Sequence, residues 1–137
     1  DENGEYQTTT KVSGDWQLSF PVHVDTSKNE TIAVNKEDNG VAVSQVIKTG
    51  AVLIVDMQLP DITGAPYNDP HNDPDIFITD EAGNAMWWLG GRFTPNEDGS
   101  QSERIMLLYN GESTIHISVT NKNGAGESIA ELDVDLK

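Results

Sequence analysis

Apolar residues occupy alternate positions between residues 16 and 24 of this chain. They are Trp16, Leu18, Phe20, Val22 and Val24, and polar residues or a proline stand between them. Successive side chains of a β-strand point to opposite faces, so this pattern buries one face and leaves the other in solvent. Pro21 lacks a backbone N–H, which favours a sheet edge. The segment is therefore predicted to be a strand of an antiparallel sheet with one solvated face.

Similar short strands are predicted along the rest of the chain. They cover Thr31–Asn35, Val41–Lys48, Ala51–Leu59, Ile76–Thr79, Ala85–Leu89, Arg104–Tyr109, Ile115–Val119 and Ala130–Leu136. Turns rich in Gly, Asn and Asp separate them, including Asn39-Gly40, which tolerates the positive φ of a tight hairpin. Asp80–Asn84 is predicted to join the fourth and fifth of these strands as a hairpin, and Gly90-Gly91 to end the fifth. The pattern predicts an all-β fold, an immunoglobulin-like antiparallel β-sandwich of eight or nine strands.

The length of 137 residues suits one ordinary domain. We expect residues 12–137 to form a single β-sandwich, preceded by a polar segment at residues 1–11 in which a short edge strand is the alternative to irregular chain. The first residue is Asp1 rather than an initiator methionine, so we expect a processed or truncated product from which a signal or anchor segment has been removed. The longest apolar stretch, Ala51–Val55, is far shorter than a membrane span. Direct membrane insertion of this segment is therefore not expected.

The chain is strongly acidic. Twenty-three Asp and Glu residues against eight Lys and Arg residues give a formal net charge of −15. Such a charge repels phosphate groups, so nucleic acid is not an expected partner. It also keeps a domain soluble, and this general role is the main interpretation of the acidity. No Lys or Arg occurs between Thr49 and Gly91, so any cation site is expected there.

A tandem sequence in this acidic stretch is the candidate metal site. Asn68-Asp69-Pro70-His71 is followed by Asn72-Asp73-Pro74-Asp75. Calcium binds six to eight oxygen atoms, and Asp69, Asp73 and Asp75 supply carboxylates on a loop stiffened by proline. The spacing is not that of an EF-hand, and the same residues also form ordinary turns. Calcium is thus a hypothesis for this loop, and no other cofactor is predicted.

Trp87 and Trp88 are the candidate interaction residues. On a strand, neighbouring side chains point to opposite faces, so one tryptophan is expected to point inward and one outward. An outward tryptophan anchors a partner protein or stacks on a sugar. The alternative is that a loop or a neighbouring domain covers it.

Known catalytic motifs are missing from the sequence. It contains no Gly-x-Ser-x-Gly, no phosphate-binding loop, no His-Glu-x-x-His and no cysteine. His23, His71 and His116 are widely separated, and nothing in their spacing indicates a zinc site. We therefore expect a non-enzymatic protein.

One combination of motifs carries a family resemblance: Gly14-Asp15-Trp16, then Phe20-Pro21-Val22, then residues 31–36 and 40–48. It resembles the extracellular immunoglobulin-like domain, classed as of unknown function, at the C-terminal side of single-pass, anti-sigma-factor-like membrane proteins of Gram-positive bacteria. The resemblance implies a cell-surface ectodomain of a membrane-anchored protein and carries no catalytic residues. The expected function is an interaction or sensory module whose partner is another protein or a neighbouring domain of the same chain. The alternative is a calcium- or carbohydrate-binding module.

Overall fold

A computed structural model describes residues 29–61, 74–120 and 128–137, together with positions 14, 19, 21 and 27. These residues form eight strands and no helix: β1 (Glu30–Asp38), β2 (Val41–Lys48), β3 (Val52–Leu59), β4 (Asp75–Asp80), β5 (Trp88–Pro95), β6 (Gln101–Leu108), β7 (Thr114–Thr120) and β8 (Ser128–Asp135). The strand predicted at residues 16–24 and the possible edge strand within residues 1–11 lie outside the described residues.

The strands pair antiparallel in two sheets. One sheet has five strands in the order β1-β2-β3-β6-β5, and the other has three in the order β4-β7-β8. This arrangement confirms the predicted antiparallel β-sandwich and is consistent with an immunoglobulin-like fold.

The core lies between the inner faces of the two sheets. Alternate residues of the central strands are buried, such as Leu53 and Val55 on β3 and Ile105 and Leu107 on β6. The buried apolar residues of both sheets form one cluster. On β8 the even-numbered residues from Ala130 to Val134 are buried and the odd-numbered ones between them are exposed, as the alternation predicted. Hydrophobic burial on one face of each sheet therefore holds the sandwich together.

The two sheets are also tied together along the β1 and β8 edges. Asn39 in the β1–β2 turn donates a hydrogen bond from Nδ2 to the carbonyl oxygen of Ile129 at 2.8 Å. Lys36 and Lys48 donate from Nζ to carbonyl oxygens near the end of the chain at 2.7 and 2.9 Å. Asn39 and Gly40 have φ values of 50° and 83°, as the Asn-Gly turn predicted. The other edge of the five-stranded sheet, β5, therefore lies at the side away from these ties.

The predicted hairpin between residues 76–79 and 85–89 forms only next to its turn, and the rest of the predicted pairing is wrong. Asp80 does organise the turn, accepting hydrogen bonds at Oδ1 from the backbone N–H groups of Ala82 and Asn84 at 2.9 and 2.8 Å. Pairing then stops after the bridge between Thr79 and Ala85 and the bond from the Met86 N–H to the Ile78 carbonyl. β4 pairs with β7, whereas β5 pairs with β6 in the other sheet.

The Gly90-Gly91 pair does not end a strand either, because both residues lie within β5. Met86, which is 8% exposed, enters the core just before β5 starts. The chain thus passes from one sheet to the other at residues where the sequence pattern predicted that the next strand would pair with β4. Alternation shows which face of a strand is buried but not which strand it pairs with.

Candidate interaction surface

An apolar patch lies on the outer face of the five-stranded sheet, the side turned away from the core. We define the patch as Trp87, Met106 and Leu108, which are 74, 37 and 38% exposed. Met106 and Leu108 alternate with the buried residues Ile105 and Leu107 on β6, so they point away from the core. Trp87 is joined to this strand by the bond from the Leu108 N–H to its carbonyl oxygen at 2.9 Å. Large apolar side chains gathered on one solvent face are typical of an interaction surface.

Glycine contributes to the shape of this patch. Gly90 lies opposite Met106 in the β5–β6 register. A Cβ atom at position 90 would lie 3.3 Å from the Met106 Cε atom. The absence of a side chain at Gly90 therefore lets the Met106 methyl group lie close to the backbone of β5.

Both tryptophans are exposed at the surface of the described residues. The alternative that a loop or a neighbouring domain covers the outward one stays a prediction. Trp88 pairs in register with the buried Leu107, which places it on the inner side of β5. It is nevertheless 43% exposed, because β5 is an edge strand of its sheet. Trp87 precedes β5 and is the most exposed large apolar residue in the described chain. Of the two, Trp87 is therefore the better candidate for contact with a partner.

A charged cluster adjoins the apolar patch on the same face. Arg104 on β6 lies opposite Asp56 on β3. Its Nε and Nη2 atoms donate to the two carboxylate oxygens of Asp56 at 2.6 and 2.7 Å, and Gln45 Nε2 donates to Asp56 Oδ2 at 2.8 Å. These hydrogen bonds, that from Arg104 above all, hold the pKa of Asp56 below its ordinary value of 3.8. Asp56 is therefore ionised at neutral pH and fully engaged.

Arg92 on β5 completes this cluster. It lies opposite Arg104 in the register, and its side chain has no ion pair or hydrogen bond to any residue in the described ranges. An open groove of about 500 Å³ runs over this part of the sheet, and Arg92, Arg104, Asp56, Thr94 and Ser102 are among its lining residues. The outer face thus carries an apolar half and a polar half, in which the Arg92 guanidinium has no ion pair with any described residue.

Most residues of this surface were not predicted from the sequence to lie together. Met106 and Leu108 stood inside an uninterrupted apolar run from Ile105 to Tyr109. Such a run indicates apolar residues on both faces of a strand, and this signal was sufficient to predict an exposed patch. The meeting of Arg92 with Arg104 depends on the β5–β6 register, which a pattern of single residues does not provide.

The calcium hypothesis is only partly covered by the structure. Asp69 and Asp73 lie outside the described residues, whereas Asp75 is the half-buried first residue of β4 and pairs in register with Thr120. Among the described residues alone, no group of three or more His, Cys, Asp or Glu side chains is suited to a metal ion. Calcium binding by Asp69, Asp73 and Asp75 stays a prediction.

A second charged cluster lies on the three-stranded sheet. His116 on β7 contacts two carboxylates of β8: its Nε2 lies 2.6 Å from Glu131 Oε2 and its Nδ1 lies 2.7 Å from Asp133 Oδ1. Hydrogen bonding to Asp133, with a further contribution from Glu131, raises the pKa of His116 above 6.5. Since both ring nitrogens are engaged by carboxylates, the cluster cross-links β7 and β8 and has a structural role. His23 and His71 lie outside the described residues.

Comparison with known proteins adds no relative. No protein family, curated protein or solved structure matches this chain. The resemblance to the ectodomains of anti-sigma-factor-like proteins therefore stays a prediction. Within residues 29–61, 74–120 and 128–137, no helix has the length and apolar character needed to cross a membrane.

Proposed function

We propose that this protein is a non-enzymatic, extracytoplasmic interaction module of a larger membrane-anchored protein. In this proposal the outer face of the five-stranded sheet binds another protein or a neighbouring domain of the same chain. One observation carries the proposal: Trp87, Met106 and Leu108 form an exposed apolar patch beside an arginine-containing groove. Aromatic residues, Met and Arg are the residue types enriched at the centres of protein interfaces.

Burial of the patch is the source of affinity in this account. Removing apolar surface from water is favourable by about 25 cal/mol per Å². The polar groove beside it supplies direction, because hydrogen bonds to a guanidinium have fixed geometry. The acidity of the chain elsewhere keeps the unbound protein soluble despite this apolar face.

Carbohydrate binding is the second candidate, and the 74% exposure of Trp87 favours it. A sugar stacks on an aromatic face while its hydroxyl groups bond to nearby polar side chains. Leu108, whose backbone N–H bonds to the Trp87 carbonyl oxygen, is instead apolar. An apolar surrounding suits a protein partner better than a sugar.

Hydroxyl-radical footprinting tests the proposed function. Oxidation of Trp87 and Met106 is measured in the purified chain and in the complete protein in the cell that makes it. We expect both residues to be protected in the cell. Phe77, which is 55% exposed and belongs to the other sheet, is the internal control and keeps its reactivity. Equal oxidation of Trp87 and Met106 in the two settings contradicts the proposal.

A further inference from the structure

The chain has two arginines, and the fold places them side by side. Arg92 and Arg104 are Cα partners in the antiparallel β5–β6 pair. Such partners lie roughly 5 Å apart and point to the same face, and like charges in this position repel each other. Asp56 neutralises Arg104 through two hydrogen bonds. Within residues 29–61, 74–120 and 128–137 the positive charge of Arg92 has no ion-pair partner, although the whole chain has a net charge of −15.

The other carboxylates of the described strands do not compensate Arg92 across the outer face. Glu103 also lines the groove, but it alternates with Arg104 and belongs to the face of the buried Ile105. Glu37 lies on the far strand β1, where it pairs in register with Ala42 of β2. Three strand spacings separate β1 from β6, which carries Arg104, and Arg92 on β5 lies one spacing further away. At about 4.8 Å per spacing this exceeds the screening length of about 8 Å at physiological salt.

The groove beside Arg92 also offers neutral hydrogen-bonding groups. Thr94 and Ser102 are Cα partners two residues further along the same two strands, and Gln58 on β3 is the partner of Ser102 on its other side. Arg104 uses two of its five N–H donors on Asp56, so further donors remain for a ligand. Hydroxyls, an amide and a planar cation together form a suitable environment for a carboxylate.

We propose that Arg92 binds a carboxylate of the partner protein, presented by an acidic side chain that apolar residues flank. This inference rests on the proposed function and specifies the partner's chemistry at the same surface. The flanking residues contact Met106 and Leu108, while the carboxylate enters the groove and accepts hydrogen bonds from the Arg92 guanidinium. The single uncompensated charge suits a carboxylate, with one negative charge, better than a phosphate, which carries close to two.

A second copy of the chain is a less suitable occupant. Two copies would bring net charges of −15 together, and this repulsion opposes association at low salt. A partner that places one acidic group opposite Arg92 avoids that cost. We therefore assign the groove to a different protein segment.

Peptide binding followed by NMR provides the test. The probes are acetyl-Leu-Glu-Leu-amide and its uncharged match acetyl-Leu-Gln-Leu-amide, and the signals are the arginine side-chain Nε–Hε resonances. The folded chain gives two such resonances, and the Arg92→Gln variant assigns them. We expect the Glu peptide to shift the Arg92 resonance and to bind about tenfold more tightly than the Gln peptide. Arg92→Gln is expected to abolish this difference, whereas Lys137→Gln, which removes one positive charge elsewhere, preserves it.

The outcomes separate this inference from the proposed function. Equal affinity for the two peptides, or a preference for Glu that persists in Arg92→Gln, overturns the carboxylate site. If Trp87 and Met106 are nevertheless protected from oxidation in the cell, the proposed interaction surface is supported and only the carboxylate site at Arg92 is wrong. Sedimentation that shows a dimer dissociated by Arg92→Gln also overturns the assignment, in favour of a second copy.

Discussion

Arg92 lies directly opposite Arg104 on the neighbouring strand, and of these two arginines the carboxylate of Asp56 binds only Arg104. This relationship makes one end of the outer sheet face polar and leaves a guanidinium available for a ligand. The other end of the same face is apolar, with Met106 and Leu108 exposed. A surface with these two parts is suited to recognition by both shape and charge, as we propose for this protein.

Replacing Asp56 by Asn is expected to destabilise the fold by about 1–2 kcal/mol at neutral pH, because two charge-assisted hydrogen bonds are lost and two arginines then face each other. The pKa of Asp56 is lowered in the folded state, so its contribution is present above 3.8 and is lost as pH falls through the lower folded pKa. Urea unfolding of both proteins at pH 7 and in strong acid measures the difference.

Asp135→Asn is the matched control for this change. It also removes one carboxylate from an exposed strand position, but it leaves the Arg104 pair intact. We expect it to change the free energy of unfolding much less than Asp56→Asn does. A difference between wild type and Asp56→Asn that is equally large in strong acid would contradict the assigned role.

His116→Gln is expected to remove a pH-dependent part of the stability. The pKa of His116 is raised by Asp133 first and Glu131 next, so its contribution is complete below pH 6.5 and is lost as pH rises through the folded pKa. Because these groups are well exposed to solvent, we expect about 1 kcal/mol or less. Unfolding free energies across this pH range should converge for the two proteins in alkaline solution. A constant gap between them would show that the ion pairs do not contribute.

Leu107→Ala and Leu108→Ala test which face of β6 is buried. Leu107 is fully buried and Leu108 is 38% exposed, although they are neighbours with the same side chain. We expect Leu107→Ala to cost about 2–5 kcal/mol through loss of burial and formation of a cavity. Leu108→Ala should cost only about 0.5 kcal/mol, as at other surface positions. Similar costs for the two variants, measured by urea unfolding, would mean that the outer face is covered.

Gly40→Ala is expected to destabilise the protein by about 1–2 kcal/mol. Gly40 has a φ of 83°, and an added Cβ would lie 3.3 Å from the Pro60 side chain. Gly50→Ala is the control, because a Cβ there meets nothing within 4 Å. Thermal unfolding of the two variants compares them. A Gly40→Ala protein as stable as Gly50→Ala would show that the turn relaxes without cost.

The sequence predicted local features well because each depends on neighbouring residues. β2 has its predicted bounds, and the inward positions of β8 follow from alternation. The Asn39-Gly40 turn follows from the conformational freedom of those two residues. The pairing partner of β5 could not be predicted in this way, because the choice between β4 and β6 depends on contacts between distant segments. Arg92 and Arg104 lie opposite each other because of that pairing, so no local pattern predicts their position.

Photo-crosslinking is the most direct test of the central claim that the outer face of β5 and β6 binds a partner protein. A benzophenone amino acid is placed at Met106 or, as the control, at Phe77 on the other sheet, in the complete protein in its own cell. Both positions are exposed, Phe77 more than Met106, so random encounters would label position 77 at least as strongly as position 106. Our account predicts a discrete crosslinked product from position 106 that is absent from position 77. Equal products from both positions, or none from position 106, would contradict it.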